Sequence, residues 1–402
     1  MPNKMDASPP SAPSEPTPLE TLSHARLNRG EIAGSLGDLG TFLPLLLGMA
    51  VQNGLNFATG LFFAGLFNVL TGLIFAIPMA VQPMKAIAAV ALTEGLTVPE
   101  IVAAGASVSL AVMVLGLMGL IDRLNQFVPR CVIRGVQLCT GLILLMKGIE
   151  WIVETGSWWA WDGGLTALVA AGLVLGLSGS KHWPPAILVV GLGFVVALLN
   201  RPEAVSTLGV GFTLPSWSPP GWADVVSAFP KATLPQLPLT LLNSVISVCA
   251  LSVDLYPDRS ASPRKVAVSV GIMNLTGVWF GAMPMCHGAG GLASQHRFGA
   301  RTNGAILFLG TIKLILAVVF GASLIGLCQA FPMSVLGVLI CFGGLELALI
   351  ARDQTRRADA FVMLAVVGVA LALKSVAVGF ALGMLLAWGI RLGWFSVEDA
   401  LH

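Results

Sequence analysis

Apolar runs of about 16 to 24 residues follow one another from residue 31 to residue 394, separated by short polar, glycine-bearing or proline-bearing breaks. A bilayer crossing takes roughly 20 residues. The runs therefore predict spans over 31–52, 56–77, 98–121, 131–149, 164–179, 184–199, 235–253, 264–281, 304–327, 332–350, 358–373 and 376–394. Two shorter runs, 83–95 and 287–297, read as half-helices, third and tenth in a series of fourteen. Residues 1–30 are polar, rich in Pro and Ser and without periodicity, and read as a disordered tail with no cleavable leader before Glu31. Residues 201–234 read as a Pro/Trp-rich interfacial connection.

The two half-helices share an approach. Pro78-Met-Ala-Val-Gln-Pro-Met-Lys85 and Pro284-Met-Cys-His-Gly-Ala-Gly-Gly291 each begin Pro-Met, follow a long apolar run and lead into small residues, 206 positions apart. Hydrophobic segments broken by Pro or Gly at matching places in two halves point to a transporter binding site. Lipid tolerates no unpaired backbone groups, so a broken helix must be buried or line a cavity. A helix starting inside the membrane presents unbonded N–H groups and the positive end of its dipole, and two such ends facing each other suit an anion. Pro83 fits a first helical position, and Gly288, Gly290 and Gly291 allow close approach of backbone to ligand. A plain kink is the competing reading for either stretch, since Gly and Pro are common in membrane helices; the pairing argues against it. Leu43-Pro44-Leu45 matches Leu237-Pro238-Leu239, Phe127-Val-Pro129 matches Ala330-Phe-Pro332, and Gly141-Leu142 matches Gly344-Leu345. The chain thus divides into two units of seven. Seven is odd, so the second enters from the opposite side, as an inverted repeat.

Composition agrees with an all-α polytopic membrane protein: 56% of the 402 residues are hydrophobic and 10% charged. Mean hydropathy is +0.86. A net charge of +2 gives no reason to expect a nucleic-acid partner. With the N-terminus in the cytosol, sixteen Lys and Arg, among them Arg123, Arg130, Arg134, Arg259, Arg297, Arg301 and Arg352, fall inside, against four outside. That positive-inside bias supports fourteen spans with both termini cytosolic, although a twelve-span count would merge the half-helices differently. Six separate cysteines and a single His at the centre exclude a metal or cofactor site, and no GxxxxGK[ST] run offers an ATP site.

Lys85 opens half-helix 3, where dipole and membrane burial both disfavour a cation. It reads either as part of an anion site or as the partner of Asp38 in span 1, and the two are compatible. Asp38 is also a candidate proton carrier, and Thr41 shares its helix face. Asn243 and Ser247 point together from span 8, and Asn243 is the stronger candidate. Gln82 offers neutral donors. Met84, Cys286, His287 and Ala289 flank the breaks; His287 reads either as a pH-sensitive donor or as a satisfied buried residue. Glu346, deep in span 12, has no sequence-level explanation.

The segments Gly37-Asp-Leu-Gly-Thr-Phe-Leu-Pro44, Pro78 to Ala89, Asn243 to Cys249, Pro284 to Ala293 and Arg297-Phe-Gly-Ala-Arg301 closely resemble the molybdate transporter family, a branch of the sulfate-permease-like superfamily. The resemblance spans about residues 30–394. It implies the seven-plus-seven inverted-repeat fold shared with sulfate permeases and nucleobase transporters. A core domain would take 31–121 and 235–328, and a gate domain 122–200 and 329–394, with 395–402 as a tail. Substrate would sit between half-helices 3 and 10 while the core moves against the gate.

The leading expectation is therefore a secondary transporter of molybdate in the plasma or inner membrane, with protons as coupling ions and a homodimer as related folds suggest. Sulfate is the alternative substrate of the same fold. A nucleobase is disfavoured because no glutamate lies in 235–253 or 286–297. A non-transporting membrane scaffold is the reading from another class. An enzyme is disfavoured because no catalytic constellation appears.

Overall fold

The computed structural model describes residues 18–121, 127–177, 185–206, 209–211, 214–394 and 396–397. Every one of the fourteen predicted segments contains a helix. We number them α1 Leu39–Asn53, α2 Phe57–Ile74, α3 Lys85–Glu94, α4 Val98–Leu117, α5 Arg130–Glu154, α6 Gly164–Leu177 and α7 Pro185–Asn200. The second seven are α8 Trp222–Leu255, α9 Pro263–Gly277, α10 Ala289–Arg297, α11 Gly304–Phe320, α12 Met333–Leu349, α13 Arg357–Ala372 and α14 Val376–Arg391.

Several boundaries differ from the sequence reading. Part of the expected disordered tail is ordered: Pro18–Ser23 is a helical turn, and Arg29–Ser35 is a helix capped by the Asn28 side chain. Backbone and side-chain bonds tie this segment to the far half of the chain, with Arg26 N–H donating to Thr302 and the Glu31 carboxylate accepting from the Arg301 and Thr302 amides. Span 1 is interrupted by a 3-10 turn at Leu36–Asp38. The connection 201–234 becomes helical at Trp222, so α8 starts early; it contains two wider π turns, Phe229–Thr233 and Thr240–Ser247. Span 11 breaks at Gly321, whose φ is 29°.

Helices α5, α6, α7, α12, α13 and α14 pack on one another, with α12 and α5 at the centre. In the other group α11 lies on α2 and α9 on α4. The last two contacts are images of each other: moving seven helices along the chain turns α4–α9 into α11–α2. At the α5–α12 contact the two repeats meet at their matched glycines. A Cβ on Gly141 would lie 2.5 Å from the Gly344 carbonyl oxygen. Helices in lipid gain nothing from burying apolar surface against each other, so close backbone packing through small residues takes that role.

The half-helices are preceded by two short strands, β1 Val81–Pro83 and β2 Met285–His287. These pair antiparallel, with Gln82 opposite Cys286. The half-helices therefore begin at Lys85 and Ala289, later than 83 and 287, and Pro83 ends a strand instead of opening a helix. The structurally matched N-caps are Met84 and Gly288, 204 residues apart (288 less 84). The Pro-Met echo at 206 is thus two residues out of register, and Lys85 corresponds to Ala289. Gly95, at φ 66°, stops α3 in the left-handed conformation that ends many helices.

Candidate functional site

Pairing the strands satisfies backbone groups that would otherwise be bare in the middle of the membrane. Asn274 on α9 completes the pairing: its side chain accepts from Met285 N–H at 2.7 Å and donates to the Met285 carbonyl at 2.6 Å. His287 belongs to the same frame. It is fully buried, with Nδ1 2.9 Å from the Ala80 carbonyl and Nε2 2.9 Å from the Ser269 hydroxyl. A carbonyl only accepts, so Nδ1 carries the hydrogen and Ser269 donates to Nε2. The ring faces the packed interior behind the strands, edge-on to Phe75, and not the space between the half-helices.

That space is a cavity of about 190 Å³. Gln82, Pro83, Lys85, Asn243, Cys286, Gly288, Ala289 and Gly290 line it, together with Arg134, Gln236, Leu239, Ser244, Ser247, Leu347 and Ile350. Its size suits a small ion with some water better than a drug-sized molecule, which takes about 300 Å³ or more. Met84 and Gly291 are buried behind the surface. Thr41 lies outside the cavity as well. It lines a separate void of about 10 Å³ with Lys85, Pro44, Leu45, Leu144, Leu339, Ile340 and Gly343. Lys85 therefore stands between a cavity and a nearly closed gap. The backbone of Asp38 ends the 3-10 turn, while its side chain lies outside the described residues, as does that of Cys328.

The two half-helix ends are unlike. At α3 the Gln236 side-chain oxygen accepts from Ala86 N–H at 2.8 Å and Ile87 N–H at 3.3 Å, while its nitrogen donates to Thr240 at 2.9 Å. That end is capped by the protein itself. At α10 the first helical bond runs from Leu292 N–H to the Gly288 carbonyl. The amides of Ala289, Gly290 and Gly291 have no protein partner among the described residues. The expected pair of bare helix ends is thus one bare end, on α10, beside one capped end.

Gly288 makes room for Gln82. Its backbone is extended, with φ −127° and ψ 125°, which any residue adopts; yet a Cβ there would run into the Gln82 side-chain amide. Among the described residues no carboxylate lines the cavity, whereas two cations do, Lys85 and Arg134. Arg134 lies in the second turn of α5 and Ile350 just beyond α12, so the cavity reaches toward the start of α5 and the end of α12.

The sequence profile described as molybdate transporter of the MFS superfamily matches residues 30–144 and 228–347. Molybdate transporter 1 of Arabidopsis thaliana is 39% identical over 411 residues, 92% of this chain and 89% of that one. Molybdate transporter 1 of Chlamydomonas reinhardtii is 36% identical over 472 residues, covering 90% and 91%. The chain belongs to the molybdate transporter family.

Its fold is that of sulfate-permease-like carriers. The transmembrane domain of the cyanobacterial bicarbonate transporter BicA superposes with a TM-score of 0.63 at 16% identity, covering 88% of this chain and 96% of that one. The murine solute carrier 26 family member A9 anion transporter, in its inward-facing state, gives 0.67 at 16% identity over 98% and 74%. This seven-plus-seven arrangement is not the pair of parallel six-helix halves that the superfamily label in the profile's description denotes.

Arg134 and Gln236 are among the lining residues in this family member that escaped the sequence reading. Arg134 counted there only as a charge setting topology. Gln236 lies 150 residues from the amide it caps, and no local pattern marks it. Glu346, puzzling in sequence, is exposed near the end of α12.

Proposed function

We propose that this protein is a secondary active transporter of molybdate, holding the oxyanion between Gln82, Lys85 and the open amide end of α10. The observation that carries this reading is the cavity's charge: among the described residues it has two cations, several neutral donors, three amides without a protein partner and no lining carboxylate. Hydrogen bonds to a charged partner are worth about 1.5–3 kcal/mol each, and Lys85 carries a charge of the opposite sign to the ion. Family membership selects molybdate. Sulfate has the same charge and tetrahedral shape, and is the ion this cavity is least equipped to refuse.

Helices α1–α4 and α8–α11 act as the core and α5–α7 and α12–α14 as the gate, and the site changes sides as the core slides along the gate. With both termini in the cytosol, the cavity faces inward, and the outer path is closed where Leu45 of the core meets Leu144, Leu339 and Ile340 of the gate around the small void. Moving a charge across the membrane potential costs about 2.3 kcal/mol per 100 mV, so inward movement of a dianion is coupled to cations, with protons the first choice. His287, engaged at both ring nitrogens, is not their carrier.

The test is uptake of radiolabelled molybdate into proteoliposomes holding the full chain, with unlabelled sulfate as competitor and an imposed proton gradient. Saturable, gradient-stimulated uptake is expected. Absence of saturable molybdate uptake refutes the reading.

A further inference from the structure

The cavity has two walls, and the proposed function uses only one. The core wall supplies Gln82, Lys85 and the α10 amides. Among the described residues the gate wall contributes one charged group, Arg134. Its guanidinium is held in a fixed orientation: Nε donates to the Asp353 oxygens at 2.9 and 3.0 Å, Nη2 to the same carboxylate at 2.5 Å, and Nη1 to Gln137 at 2.8 Å. Three of the five N–H groups of an arginine are thereby engaged. The two that remain have no protein partner among the described residues. Asp353, in the turn that follows α12, is 45% exposed, against 17% for Arg134. The pair therefore sits with its cation toward the cavity and its anion toward the outside medium.

A guanidinium keeps its charge under all ordinary conditions and presents a planar fork suited to oxyanions. Asp353 offsets that charge from outside the cavity lining. We propose that Arg134 is the gate's own oxyanion ligand and that Asp353 orients its guanidinium while tempering its charge. The two remaining N–H groups take an oxyanion without displacing the carboxylate. The charge of Asp353 opposes a dianion about twice as strongly as a monoanion, and so sets how strongly the site prefers one over the other. Because Arg134 stands on α5 and Lys85 on α3, a dianion bound by both bridges the two groups of helices that slide past each other. This assignment rests on the oxyanion reading of the cavity.

Molybdate and nitrate binding to the purified full-length protein, by calorimetry, tests it alongside uptake. Absence of molybdate binding by the unaltered protein would undo the proposed function itself; the variants then speak to Arg134 alone. Arg134→Gln with Asp353→Asn replaces the ion pair by a neutral hydrogen-bonded one and is expected to weaken molybdate binding about tenfold or more, the loss of one charged hydrogen-bond partner. Asp353→Asn alone removes a negative charge beside the site and is expected to strengthen molybdate binding more than nitrate binding, so that the molybdate-to-nitrate preference rises by about threefold or more. A pair that only braces α5 against α12 would lower the unfolding midpoint and leave that preference unchanged. Molybdate affinity within threefold of the unaltered protein in the double variant, or an unchanged preference in Asp353→Asn, overturns the assignment. Should the double variant not fold, the preference measured on Asp353→Asn decides.

Discussion

Replacing Gly288 by Ala separates the fold of the site from its chemistry. The backbone there is extended, with φ −127°, so alanine meets no conformational penalty and reduces the freedom of the unfolded chain, worth about 0.4–1 kcal/mol. The added methyl collides with the end of the Gln82 side chain, and its nearest carbon contact, Gln82 Cδ, would be 2.7 Å away. Such a tip swings aside cheaply, unlike a backbone atom. Overpacking costs about 1–3 kcal/mol in a rigid core, and here the low end applies, so the two terms nearly cancel. Binding suffers instead. Gln82 leaves its place against α10, and one hydrogen bond to a charged ligand is lost, about 1.5–3 kcal/mol or roughly ten- to hundredfold in Kd. The assay pairs a thermal unfolding midpoint with molybdate Kd by calorimetry. Gly368→Ala, at an exposed position in α13 with nothing within 4 Å, serves as the control: it should match the unaltered protein in Kd, with a midpoint unchanged or slightly raised. Because both changes act through Gln82, Gly288→Ala combined with Gln82→Ala should bind no worse than Gln82→Ala alone. Unchanged Kd in Gly288→Ala would refute the role given to Gln82. A large fall in its unfolding midpoint would refute the claim that only a mobile side-chain end is in the way.

Gln236→Glu keeps an acceptor on the Ala86 and Ile87 amides and adds a charge favoured at a helix N-terminus by about 0.3–1 kcal/mol; the unfolding midpoint should hold while molybdate uptake is lost through repulsion, and retained uptake would contradict an anion in this cavity. Gly141→Val drives a side chain into the backbone of α12, with Ala348 N only 2.7 Å from its Cβ. A loss of at least about 1–3 kcal/mol is expected, read as a lowered midpoint or aggregation on size exclusion. His287→Ala strands the Ser269 hydroxyl and the Ala80 carbonyl in a dry interior at about 1–3 kcal/mol each. The protein that still folds should bind molybdate with unchanged affinity; a selective loss of affinity at an unchanged midpoint would return His287 to the site.

Much of this architecture is written locally. Long apolar runs can only be satisfied as helices in lipid, and a Pro- or Gly-rich break near the middle of one must be sheltered by protein. The run lengths and breaks therefore identify fourteen helical segments, two of them half-helices, and the odd number seven dictates an inverted repeat. For the same reason most of the residues nearest the breaks that line the cavity, Gln82, Pro83, Lys85, Cys286, Gly288, Ala289 and Gly290, could be named in advance, whereas Met84 and His287 face away from it.

What a side chain faces is not written locally. His287 and Gly288 are neighbours, yet strand alternation sends one into the packed interior and leaves the other at the cavity, and only the pairing of β1 with β2 decides which. Sequence likeness puts the two breaks 206 residues apart, while the helix starts, with N-caps at Met84 and Gly288, set the interval at 204, because backbone geometry and not identity of residues aligns them. Gln236 becomes a cap, and Arg134 a cavity cation, through partners 150 and 219 residues away. Apolar length alone determined that this chain crosses the membrane and where its helices break; the packing of one repeat against the other decided which polar groups meet, since that depends on the rotation of each helix about its own axis, and hydropathy carries too little information to set it.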